Sequence, residues 1–159
     1  MKKLLFKFLP LLAVTILLIS CGSSNKKEEQ NTNATKTDVK KVYDVSSLVG
    51  KNIDEIRSVL GKPSDEEIEP TKQQMEMNFD SWDNNFDKDG KTLLITFNPQ
   101  DRKVIDFFIS TDDPSGTTDD YSDLLKICNV TDDNSAYKIE PVPTIKDDTR
   151  FTGIKIVPN

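Results

Sequence analysis

The chain has 159 residues, with 21 Lys and Arg against 27 Asp and Glu, and no histidine. Lack of histidine removes Ser-His-Asp and Cys-His relays, His-ligated zinc and the imidazole switch near neutrality. The net charge of −6 is unevenly spread: from Val42 onward 13 cationic residues meet 24 acids, a balance that disfavours nucleic acid and an anionic bilayer surface as partners.

Residues 1–7 are basic, with Lys2, Lys3 and Lys7, and residues 8–19 are almost unbroken apolar sequence. This is the layout of a signal peptide. Its apolar run of about a dozen residues is short of the roughly 20 that span a bilayer. The run ends in Leu18-Ile19-Ser20-Cys21-Gly22, which resembles the lipobox of bacterial lipoproteins. That resemblance implies removal of residues 1–20 and lipidation of Cys21 with fatty chains such as palmitate. It also implies a lipid-anchored place on the extracytoplasmic side of the cell membrane. Residues 21–41 contain no aromatic residue and no Leu or Ile. Such a segment buries too little apolar surface to offset its ordering entropy and reads as a flexible polar tether. Residues 42–159 are then one α+β domain, long enough for a modest core.

Within that domain, Asn52 and Glu55 form a capping-box pattern. Ile53, Ile56, Val59 and Leu60 recur at helical spacing, and Gly61 and Pro63 stop the helix. Met75, Met77 and Phe79 alternate with polar residues and predict a first strand. Residues 80–90 (DSWDNNFDKDG) read as an acidic hairpin turn leading to a second strand at 92–98, with Leu93, Ile95 and Phe97 on one face. A five-residue turn (NPQDR) separates it from a third strand at 103–110, with Ile105, Phe107 and Ile109 together. Thr117 or Thr118 caps a second helix whose stripe is Tyr121, Leu124, Leu125 and Cys128. Strands at 136–140 and 150–157 complete the chain, with Pro141 and Pro143 marking a loop or a sheet edge. The expected order is α-β-β-β-α-β-β, an antiparallel meander covered by two short helices.

Gly50, Asn52, Asp54, Glu55, Ile56, Leu60, Gly61 and Pro63, with Trp82 beyond them, resemble the SmpA/OmlA-type small lipoprotein domain over residues 48–110. That family places two helices ahead of its strands, whereas here the second predicted helix follows the meander. The resemblance implies a non-enzymatic envelope protein.

No metal site, catalytic group or cofactor is assigned. Asn85, Asp87 and Asp89 imitate the start of a calcium loop, but Leu93 and Thr96 fall where its later ligands belong. Asp112, Asp113, Asp119, Asp120 and Asp123 form a second acidic cluster, explained by turns and a helix start, as are Asp132 and Asp133. Cys128 reads as a buried apolar thiol. Trp82, Phe79 and Phe86 gather around one acidic loop. They either close the end of the core or form the candidate interface, while Tyr121, Tyr137 and Phe151 read mainly as core. The expected function is that of a membrane-anchored cell-envelope lipoprotein binding another envelope protein, with the membrane as partner through Cys21. The alternatives are a Ca²⁺-dependent or carboxylate-based module that binds or hydrolyses glycans, and a phage-type exclusion lipoprotein.

Overall fold

The computed structural model describes residues 38–159; the expected signal peptide, Cys21 and most of the expected tether lie outside the described residues. Five strands form one antiparallel sheet: β1 (Trp82–Lys88), β2 (Lys91–Phe97), β3 (Val104–Ser110), β4 (Tyr137–Pro143) and β5 (Phe151–Pro158). Their spatial order is β1-β2-β3-β5-β4. The helices are α1 (Ile53–Leu60), α2 (Lys72–Glu76) and α3 (Ser122–Cys128), with a 3₁₀ turn at Val45–Ser47. The class is α+β, as the sequence predicts.

Helix α1 forms as its residues dictate. The Asn52 side chain accepts from the Asp54 and Glu55 N–H groups, both at 3.0 Å, and Glu55 accepts from the Asn52 N–H at 2.9 Å. Gly61 ends the helix at φ +93, a conformation glycine adopts without strain. Ile53 and Ile56 are buried, but Val59 is 61% exposed, so the inward stripe is narrower than the spacing predicts.

Two assignments are corrected. Residues 72–76 are helix α2, not a strand, because Thr71 and Gln74 build a second capping box. The first strand lies in the stretch expected to be a turn. Its Trp82, Asn84 and Phe86 point toward the core while Asp83, Asn85 and Asp87 point away. Asp and Asn are poor strand formers. Here pairing with β2, through a tight turn at Asp89 and Gly90 (both with positive φ), overrides that preference. The observed order is therefore α-α-β-β-β-α-β-β.

Leu93, Ile95 and Phe97 of β2, Phe107 and Ile109 of β3, and Ile154 and Ile156 of β5 line one face of the sheet. Helices α1 and α3 and the 3₁₀ turn close over it. The third strand departs from simple alternation. Thr96 pairs with Asp106 but Phe97 pairs with Val104, so a β-bulge absorbs Ile105 and leaves it 40% exposed. Val104 takes the core-side place instead. Helix α3 is also entered differently: Tyr121 precedes it without a side-chain cap, and Thr118 bonds Asp120 instead.

Residues 39–43 are fastened to the domain. Val39 packs against the core, and the Val42 and Tyr43 N–H groups both donate to the Ile127 carbonyl. The buried Tyr43 hydroxyl lies 2.6 Å from the Phe86 carbonyl and 2.7 Å from that of Lys91, and burial pushes its pKa up to about 12.

Both sheet edges are blunted. On β1, the Asn85 carbonyl accepts from the Ser64 N–H at 2.8 Å, and Asp65 accepts from the Asn85 N–H at 2.6 Å. On β4, Pro141 and Pro143 have no N–H to offer.

Candidate functional site

The connection from α1 to β1, residues 61–81, holds the candidate site. Thr71 starts α2; Met77 caps it; Asn78 then takes a positive φ of 54 and turns the chain toward β1. This leaves Met77 66% and Phe79 39% exposed. Trp82 is half-buried against the core, and its indole N–H donates to the Glu67 carbonyl at 3.3 Å. Phe86 is only 3% exposed and belongs to the core. The three aromatics thus divide by depth: Phe86 inside, Trp82 at the boundary, Phe79 at the surface. From the β2–β3 turn, Gln100 donates to the Met75 carbonyl at 3.4 Å.

Beneath this surface lies a charged knot that sequence reasoning missed. Arg102, from the turn before β3, holds Asp54 through Nε and Nη2 at 3.0 and 2.6 Å, and Glu69 through Nη1 and Nη2 at 2.8 and 2.7 Å. Arg57 of α1 bonds Glu69, the Ile68 carbonyl and the side chain of buried Asn84. Both guanidinium carbons sit over the Phe97 ring, 5.4 Å (Arg57) and 5.2 Å (Arg102) from its centroid, where the ring quadrupole attracts a cation. Hydrogen bonds from Arg102 hold the Asp54 and Glu69 carboxyls below their usual range, and those carboxylates push the Arg102 pKa up. The knot fixes residues 68–69 to α1 and to the β2–β3 turn. Arg57 and Arg102 stand 45 positions apart, so no local pattern pairs them; only the placement of Arg57 on α1 beside Ile56 hints at an inward role.

The second acidic cluster borders a cleft of about 630 Å³. Asp112, Asp113, Asp120 and Asp123 line it, over an apolar floor of Val39, Val42, Leu124 and Ile127; Asp119 does not. Lys40 pairs with Asp89 and Lys91 with Asp112 across it. Asp113 accepts from Ser115, and Asp123 pairs with Lys126. Asn85 bonds Asp65, and Asp87 bonds Thr92. Among the described residues no three acidic or Cys side chains converge as metal ligands.

Cys128 is fully buried, and burial raises its thiol pKa to about 12, which leaves almost no thiolate to react. Tyr121 and Phe151 meet edge to face with centroids 5.5 Å apart, and buried Tyr137 accepts from the Thr131 N–H. Among the described residues no helix is long and apolar enough to cross a membrane. Comparison with family models, curated proteins and solved structures found no match.

Proposed function

We propose that this chain is a non-enzymatic lipoprotein of the cell envelope, anchored at the extracytoplasmic membrane face through lipid on Cys21, and that its domain binds another envelope protein. The observation that carries the reading is the outward placement of Met77 and Phe79, beside half-buried Trp82, on a domain whose sheet edges are blunted. Exposed aromatic anchors are frequent centres of protein interfaces. The Leu18-Ile19-Ser20-Cys21 sequence supplies the anchor. Two or three fatty chains hold a protein firmly where one does not, and tethering raises the local concentration of the domain at the envelope. The order of two helices followed by three antiparallel strands supports the small-lipoprotein resemblance of residues 48–110.

Two measurements test the reading. Cys21→Ser should release the chain from membranes or leave its signal peptide uncleaved. A photo-reactive residue in place of Phe79 should form adducts with an envelope protein in cells. Unchanged fractionation of the Cys21 variant, or adducts with none but abundant cytoplasmic proteins, would sink it.

A further inference from the structure

Resting on that reading, the geometry points to the chemistry of the partner: a protein segment that carries both Lys or Arg and apolar side chains. The surface of residues 76–83 is amphipathic in an unusual way. Met77 and Phe79 are exposed, and Glu76, Asp80 and Asp83 stand exposed among and beside them. The bond from Trp82 to the Glu67 carbonyl brings exposed Glu66 and Glu67 to the same end of the domain.

None of these five carboxylates has a hydrogen-bond or ion-pair partner among the described residues. Residues 62–83 carry seven carboxylates against two lysines. Elsewhere along the same connection the protein supplies partners: Glu69 has two guanidinium groups, and Asp65 has the Asn85 amides. The unpaired five therefore leave a negative rim beside exposed apolar side chains, which complements a segment carrying both cationic and apolar side chains. An anionic lipid surface or a nucleic acid would be repelled by the same rim. A chelated metal ion would need three converging ligands, which the described residues do not provide.

The chain has one tryptophan, Trp82, and it lies at this surface, so its fluorescence reports occupancy. The test uses the full chain in non-ionic detergent and two synthetic amphipathic probes, a Lys/Leu peptide and its Glu/Leu counterpart. The Lys/Leu peptide should change Trp82 emission saturably, and more weakly as salt rises; the Glu/Leu peptide should not. The double variant Glu76→Lys, Asp80→Lys should weaken Lys/Leu binding by about tenfold or more, with an unchanged melting midpoint. The double variant Asp132→Lys, Asp133→Lys, the same charge change at another exposed turn, should bind as the parent does. Equal weakening by both variants, or equal binding of both peptides, would overturn the inference. In cells, the segment joined to the photo-reactive group at position 79 should be rich in Lys or Arg. An adduct on a neutral or acidic envelope segment would overturn the partner's chemistry and leave protein binding standing, whereas failure to join any envelope protein would remove both.

Discussion

One connection, between α1 and β1, contains two kinds of carboxylate. Glu69 is half-buried and is gripped by Arg57 and Arg102 over the Phe97 ring. Glu66, Glu67, Glu76 and Asp80, on the same connection, are exposed and have no partner among the described residues. Burying an ionised group without fixed donors is expensive, and here both Glu69 oxygens meet guanidinium donors. Exposed acids are solvated and need no such match. The first kind positions the surface; the second kind is what that surface presents.

The contrast can be broken at its inner end. Phe97→Ala removes a fully buried ring on which both arginines rest. It should destabilise the domain by about 3–5 kcal/mol, seen as a lower urea midpoint. Arg57→Ala leaves Asn84 and Glu69 short of a donor and should cost about 2–3 kcal/mol. Asn52→Ala removes the α1 cap, and a loss of about 1 kcal/mol is expected. Removal of the outer charges by Glu76→Gln with Asp80→Asn should move stability by less than about 0.5 kcal/mol. A larger loss there would mean that the outer acids are structural after all.

Acid sharpens the same division. The folded Asp54 and Glu69 have lowered pKa values, with Arg102 as the main cause. Their contribution is present above the unfolded carboxylate range and is lost as pH falls through the folded values. The urea midpoint should therefore fall as pH drops below about 4.5. Arg102→Met should flatten that part of the profile, and the outer double variant should leave it in place.

Legibility followed the range of the forces involved. The α1 cap, the inward face of β2 and the prolines of the β4 edge arise from neighbours in the chain, and short patterns reveal them. Helix α2 was visible only through Thr71 and Gln74, because Met75, Met77 and Phe79 alternate as a strand would. Strand β1 was hidden by its Asp and Asn residues, whose local preference is overruled by ladder pairing with β2. The exposure of Ile105 depends on a bulge that no alternation foretells. At the site, the aromatics were legible as a group but their depths were not. The Arg57–Arg102 knot joins distant residues and left no local mark.

The blunted sheet edges bear on behaviour at high density. A flat sheet with free edges invites its neighbours to add strands, and crowding speeds that polymerisation. Here Ser64 and Asp65 occupy the ladder positions of one border, and two prolines deny donors at the other. Many copies can thus be packed side by side without zipping into fibrils.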